Sequence, residues 1–184
     1  MVSSLFVLGG ARSGKSRFAV AAQRPGVRIA FLATAEARDE DMARRIARHR
    51  QERPRQWTTV EEPVALVPRL RALGGQVDAV IVDCLTLWVA NLLLRGDPDE
   101  AILAESDRLA AFVAGGALEL TLVSNEVGSG VHPPTADGLR FRDLLGLVNQ
   151  RMAAAADRVV LMVAGLPLSL KEARHPDDIP VQAP

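Results

Sequence analysis

Short apolar runs alternate with longer stretches of helical periodicity along the chain. Ser4–Gly9 (SLFVLG), Val27–Ala33 (VRIAFLA), Val77–Asp83 (VDAVIVD), Leu118–Ser124 and Arg158–Ala164 are nearly continuous in apolar residues. Runs of this kind read as strands buried on both faces. Between them, Arg17–Gln23, Leu85–Leu94, Asp99–Val113 and Leu139–Ala156 read as helices. In the last of these Phe141, Leu144, Leu145, Val148 and Met152 share one stripe. Asp39–Arg53 is strongly helical, with Asp39, Glu40 and Asp41 at its start and arginines filling its end, the order that suits the helix dipole. Glu62–Leu73 is a weaker helix, because Pro68 should break or kink it. The alternation predicts an α/β fold whose mostly parallel sheet carries helices on both faces.

At 184 residues the chain has the length of one domain. No repeat and no linker divides residues 1–174, so a single domain is expected there. The segment His175–Pro184 carries three prolines and few large apolar residues, and is expected to be an extended or disordered tail. Hydrophobic residues at 48% and charged residues at 24% supply a core and argue against intrinsic disorder. Lys+Arg and Asp+Glu both number 22, and aromatics are limited to five Phe and two Trp. Without a basic excess or stacking side chains, a nucleic-acid partner is not expected. No run approaches the ~20 apolar residues of a membrane span, and no segment reads as a secretory signal. The lone Cys84 rules out an internal disulfide and fits a reducing, cytoplasmic location. It reads as a small buried hydrophobe.

The sharpest chemical signal is Gly9-Gly10-Ala11-Arg12-Ser13-Gly14-Lys15-Ser16, which satisfies G-x-x-x-x-G-K-[ST] between an apolar strand and a helix. Glycines let the backbone curl until its N–H groups face one anion. Lys15 would reach the β- and γ-phosphates, and the Ser16 hydroxyl would bind Mg²⁺. The fold expectation sharpens to an α/β domain of P-loop NTPase type. Val80-Ile81-Val82-Asp83 has the form of the partner strand, whose terminal carboxylate aims at the same Mg²⁺. Met42, Ile46, His49 and Arg53 share one helical stripe, crowded by arginines that would attract a polyphosphate. His49 is therefore either a histidine packed at the edge of the core or a nucleophile beside the phosphates. Asn125-Glu126-Val127-Gly128 follows a strand at the edge where open α/β sheets bind ligands, although a polar strand end is often only a turn.

Several less common strings stand in one order: GGARSGKSR at Gly9–Arg17, Ala33-Thr34, Asp41-Met42, Arg45-Ile46 leading to His49, Arg53-Pro54, Trp57, Thr59 and Glu61. Asp83-Cys84-Leu85-Thr86, Asn91-Leu92-Leu93, Ser124-Asn125-Glu126-Val127-Gly128, Phe141-Arg142-Asp143 and Asn149-Gln150 follow. In these the chain resembles, up to about Lys171, the bifunctional adenosylcobinamide kinase/adenosylcobinamide-phosphate guanylyltransferase family of cobalamin biosynthesis. The resemblance implies two reactions. ATP or GTP phosphorylates the aminopropanol hydroxyl of adenosylcobinamide, and GMP is then transferred from GTP to adenosylcobinamide phosphate, giving adenosylcobinamide-GDP. It implies a covalent guanylyl-histidine on His49 and, as catalytic residues, His49 and Lys15. It implies nucleotide contacts at Gly9–Ser16, at Ala33, Thr34 and Ala35, at Arg50, Gln51, Glu52 and Arg53, and at Glu61 and Asp83. Ser16 and Asp83 become the Mg²⁺ ligands, and Glu126 a candidate for Mg²⁺ or cobinamide contact. Relatives suggest a homo-oligomer, by resemblance a trimer. The alternatives are a P-loop small-molecule kinase without guanylyltransferase activity and a nucleotide-gated interaction module.

Overall fold

The computed structural model describes residues 4–172 apart from 38 and 52, so the tail expected at His175–Pro184 lies outside the described residues. In chain order the elements are β1 (Ser4–Gly9), α1 (Lys15–Ala21), β2 (Ile29–Ala33), α2 (Glu40–Gln51), β3 (Thr58–Glu61), α3 (Leu66–Leu73) and β4 (Ala79–Asp83). They continue with α4 (Leu85–Arg95), α5 (Asp99–Ala114), β5 (Glu119–Asn125), α6 (Ala136–Ala155), β6 (Arg158–Val163) and β7 (Leu166–Lys171). The strands form one seven-stranded sheet in the order β3-β2-β4-β5-β1-β6-β7. Neighbours are parallel except β6 and β7, which are antiparallel.

The apolar runs are buried as continuous strands because both faces of the sheet are covered. On one face α3, α4, α5 and α6 bring Leu70, Trp88, Leu92, Leu109, Leu145 and Val148 against Phe6, Leu32, Val80 and Leu122. On the other, α1 packs Ala19 and Phe18 among Val7, Phe31, Ile81 and Val123. Each fully buried large side chain contributes roughly 1.5–3 kcal/mol. Trp88 is enclosed with its indole N–H donating to the Val64 carbonyl at 2.8 Å, which removes the cost of burying that donor.

Three features depart from the expectation. Pro68 neither breaks nor kinks a helix, because α3 starts at Leu66 and leaves Pro68 in its first turn, where backbone N–H groups have no partner within the helix. The residues before α3 form a turn instead: Glu62 Oε1 accepts from the Val64 and Ala65 N–H groups at 3.2 and 2.7 Å. The sheet also gains an edge strand at each end. β3 is short and mostly exposed, which leaves it little hydrophobic signature. β7 alternates exposed Leu166, Leu168 and Leu170 and contains Pro167, a residue that an edge strand tolerates. It turns back from β6 through Ala164 and Gly165 at φ 51° and 84°, the paired positive values of a type I′ hairpin turn.

The end of β7 fixes α6. Lys171 Nζ donates to the carbonyls of Ala153, Ala154 and Ala156 at 3.1, 2.9 and 2.5 Å, which places a cation on unsatisfied carbonyls at the helix C-terminus. Lys171→Met keeps the aliphatic stem and removes these bonds. It should destabilise the fold by about 1–2 kcal/mol in denaturant unfolding, the partly screened value of a charge-assisted cap. An unchanged midpoint would show that the cap contributes nothing.

Candidate active site

The parallel register brings the carboxyl ends of the strands to one edge. Ala33 on β2 pairs with Glu61 on β3 and with Asp83 on β4, while Gly9 on β1 pairs with Asn125 on β5. Open α/β sheets bind ligands in this position. Gly9–Ser16 connects β1 to α1 here. A Cβ on Gly9 would lie 2.6 Å from both the Met162 carbonyl oxygen and Ser13 Oγ, so only glycine fits. Gly14 enters α1 at φ 95°, in the left-handed region. The Ser13 N–H donates to the Gly10 carbonyl at 3.3 Å, and the Gly165 N–H donates to the Ser13 carbonyl at 3.1 Å. The β6–β7 turn therefore braces the loop from outside. Gly10, Ala11 and Arg12 face solvent, whereas Ser13 is buried and its hydroxyl has no partner among the described residues.

Lys15 is buried and folded over the loop, its Nζ donating to the Gly10 carbonyl at 2.6 Å. Burial lowers its pKa, and the nearby Cys84 and Asp83 oppose that shift. Ser16 Oγ donates to Asp83 Oδ2 at 2.9 Å, joining the start of α1 to the end of β4. Burial pushes the Asp83 carboxyl above the ordinary value; the Ser16 hydroxyl and the charges of His49, Arg53 and Lys15 pull it back. Among the described residues no cluster of three His, Cys, Asp or Glu could cage a metal. A hydroxyl and one carboxylate beside a phosphate loop are the donor set that suits Mg²⁺, which completes its shell with phosphate oxygens and water. Cys84 is chemically quiet, since burial and the neighbouring Asp83 push its thiol up to about 11.

The other side of the site comes from α2 and the segment after it. His49 is exposed, close enough to Asp83 for its charge to act on that carboxyl. It is thus not a histidine packed at the core's edge; Met42 and Ile46 on the same stripe take the half-buried positions. Arg53 lies over the Phe31 ring at 3.6 Å from its centroid and reaches Thr59 Oγ1 at 3.4 Å. Burial lowers its pKa; Asp83 and Glu61 raise it, and Arg50 lowers it further. Its Nε is buried and has no partner among the described residues. Arg50 pairs with Glu61 at the end of β3. Arg50, Arg53, Pro54, Arg55, Trp57 and Thr59 line a cavity of about 370 Å³ beside these groups. The Gln51 side chain and Glu52 lie outside the described residues.

Ala33 is buried and Ala35 half-buried at the end of β2. Thr34 is fully enclosed. Its hydroxyl donates to the Cys84 carbonyl at 2.7 Å and accepts from the Cys84 N–H at 2.9 Å, while Asn91 Nδ2 donates to its carbonyl at 2.8 Å. Thr34 therefore fixes the backbone beside Asp83 with its side chain already engaged. Neither this network nor the Phe31 platform under Arg53 is visible in the sequence, where both are ordinary strand residues.

A phosphate-type loop between β1 and α1, with a strand-end carboxylate held against its serine, defines an α/β P-loop nucleotide-binding protein. A solved chain described as a prototypical ATPase from the type III secretion system of pathogenic bacteria shares the fold. Its TM-score is 0.51 at 12% identity, over 92% of this chain and 57% of that one, so this chain spans little more than half of it. The model of the cobinamide kinase/cobinamide phosphate guanyltransferase family matches residues 5–170, and the chain belongs to that family. It is 45% identical over 168 residues to the bifunctional adenosylcobalamin biosynthesis protein CobP of Pseudomonas aeruginosa, covering 90% of this chain and 95% of that protein. It is 40% and 37% identical to the CobU proteins of Escherichia coli and Salmonella typhimurium, covering 91% of this chain and 99% of each relative.

The raised pKa of Asp83 has a consequence for stability. A carboxyl whose folded value lies above its unfolded value favours folding most when protonated, and that advantage disappears as pH rises through the folded value. Asp83→Asn should therefore raise the Tm at pH 7–8 while damaging activity, and its advantage should shrink as pH falls through the carboxyl range. A lowered or unchanged Tm at neutral pH would contradict a net burial cost at this position.

Proposed function

We propose that both activities of this cobinamide kinase and cobinamide phosphate guanylyltransferase run through one phosphate cradle, with His49 as the guanylyl-accepting nucleophile. The observation that carries this reading is the convergence of Lys15, Ser16, Asp83, Arg53 and His49 at one edge of the sheet. Gly9–Ser16 would surround the phosphates with backbone donors, and Lys15 would exchange the Gly10 carbonyl for phosphate oxygens. Ser16 and Asp83 would hold Mg²⁺, which when bound supplies charge neutralisation at the phosphates. Arg50 and Arg53, presented beside Glu61 and over Phe31, would balance charge on the transferring group. Ala33, Thr34 and Ala35 would form the floor beneath the nucleotide.

In the kinase step, the γ-phosphoryl group of ATP or GTP passes to the cobinamide hydroxyl, which needs positioning and charge stabilisation but no protein nucleophile. In the second reaction, an imidazole nitrogen of His49 attacks the α-phosphorus of GTP. The bond to the α–β bridging oxygen breaks, and pyrophosphate departs from the cradle. A phosphate oxygen of cobinamide phosphate then takes the GMP group from His49 and restores the free imidazole. The family match favours this over a kinase that never guanylylates and over a nucleotide-gated interaction module. No helix among the described residues is long and apolar enough to cross a membrane. ATP and GTP as substrates fit a cytoplasmic site of action. We further propose that copies associate, as a homotrimer by resemblance. Exposed Val163, Leu166, Leu168 and Leu170 give the β6–β7 edge an apolar surface that another copy would cover.

Two variants separate the roles. His49→Ala should lose the GMP adduct seen in the intact-protein mass after GTP and Mg²⁺, and with it GMP transfer, while kinase activity stays within about threefold. A persisting adduct would remove His49 from the mechanism. Lys15→Ala should weaken both reactions about ten- to hundred-fold, since each loses a charge-assisted phosphate contact of roughly 1.5–3 kcal/mol. Full activity in either reaction would mean that the cradle is not shared.

A further inference from the structure

β5 lies between the loop-bearing strand β1 and the carboxylate strand β4. Its register pairs Val123 with Asp83 and Asn125 with Gly9, so β5 runs two residues past the end of β4. Glu126 follows directly, one residue past the level of Gly9 at the start of the phosphate loop. Its backbone is unusually well fixed for a strand end. Beyond Asp83 there is no β4 partner, and Thr86 Oγ1 at the start of α4 accepts the Asn125 N–H at 2.8 Å instead. Asn149 Nδ2 on α6 donates to the Asn125 carbonyl at 3.0 Å, and the Glu126 N–H donates to the Gly9 carbonyl at 3.1 Å. Three elements thus hold two consecutive residues.

The support is polar where packing alone would call for apolar side chains. Thr86, Ser124 and Asn149 are all buried, and Ser124 Oγ and Asn149 Oδ1 find no partner among the described residues. Unsatisfied buried polar atoms cost stability, and such costs concentrate at functional sites. Glu126, the residue after this anchored strand end, has a side-chain oxygen to offer. Glu126 Oε1 accepts the Gly128 N–H at 2.6 Å, which orients the carboxyl group, while no hydrogen bond or ion pair to Oε2 occurs among the described residues. The other carboxyl groups at the strand ends are engaged: Asp83 with Ser16, Glu61 with Arg50, and Glu62 with the Val64 and Ala65 N–H groups and with Arg69 at 3.7 Å.

We propose that Glu126 is the base of the kinase step, the carboxylate that receives the proton of the acceptor hydroxyl, and that it takes no part in guanylylation. The inference rests on the kinase reading of the site. The acceptor oxygen forms a bond to the γ-phosphorus as the bond from that phosphorus to the β–γ bridging oxygen breaks. The nucleoside diphosphate leaves with the bridging electron pair, and the hydroxyl proton moves to Glu126 Oε2. The α-phosphorus reaction has no hydroxyl to deprotonate: its acceptors are an imidazole and a phosphate oxygen. That difference makes the two activities separable at Glu126 as well as at His49.

The test uses full-length protein with Glu126→Gln, which keeps an Oε1 acceptor for the Gly128 N–H, and with Glu126→Ala. ATP-dependent phosphorylation of cobinamide, GMP-adduct formation, and GMP transfer to separately prepared cobinamide phosphate are measured side by side. The kinase kcat should fall about 10²–10⁴-fold in Glu126→Gln, the range expected for losing a positioned base, with the KM for ATP changed less than about threefold. Adduct formation and GMP transfer should stay within about twofold, and added formate should restore part of the kinase rate to Glu126→Ala. Undiminished kinase activity in Glu126→Gln would overturn the assignment. So would a parallel fall of all three activities, which would make Glu126 structural. Wild-type protein that forms the adduct but no cobinamide phosphate would overturn the kinase reading itself, and this inference with it.

Discussion

Ser16 and Asp83 meet at 2.9 Å although the strands that carry them are not neighbours. Ser16 lies in the first turn of the helix after β1, Asp83 closes β4, and β5 lies between β1 and β4. The bond therefore exists only if the register of all three strands holds, with Gly9 level with Asn125 and Asp83 level with Val123. Much of the site is arranged around it. Lys15 lies beside Asp83 in the loop, Thr34 and Asn91 clamp the backbone around Cys84, and His49 and Arg53 bring their charges to bear on the same carboxyl.

The electrostatics of this arrangement are incomplete in a specific direction. One half-buried acid faces Lys15, Arg53 and His49, and burial lowers the pKa of the lysine and of the arginine. Cations in that condition gain most from a multiply charged anion that brings negative charge without a side chain of its own. A nucleoside triphosphate is such an anion. The buried unpartnered atoms Ser13 Oγ and Arg53 Nε are part of the same cost, which the apolar core on both faces of the sheet offsets.

Much of this was legible in the sequence, for reasons that differ by element. Ser4–Gly9, Val77–Asp83 and the GGARSGKS string could be read because central parallel strands are apolar throughout and the loop needs particular residue types. The mostly parallel α/β sheet followed from the same strands. The edges of the sheet were not legible. Thr58–Glu61 has only Val60 turned toward the core, and Leu166–Lys171 presents its leucines to solvent, so burial, the main signal of periodicity, is missing from both. Pro68 misled because a proline breaks a helix only in its interior, and α3 begins at Leu66, just before it. At the site, the stripe that carries His49 fixed its approximate face but left two roles open; its exposure and its electrostatic contact with Asp83 favour the chemical one. The ties from Thr86 and Asn149 to Asn125 join residues far apart in sequence, and no local pattern encodes them.

The central claim is that one cradle per chain serves both reactions, so that kinase and guanylyltransferase nucleotides compete for the same backbone donors. The direct measurement is calorimetric titration with the α,β-methylene analogue of GTP, which cannot donate GMP to His49, and the β,γ-imido analogue of ATP in the presence of Mg²⁺, each alone and then one against protein saturated with the other. The account predicts one equivalent of either analogue per chain and complete mutual exclusion. Simultaneous binding of both analogues to one chain would contradict it.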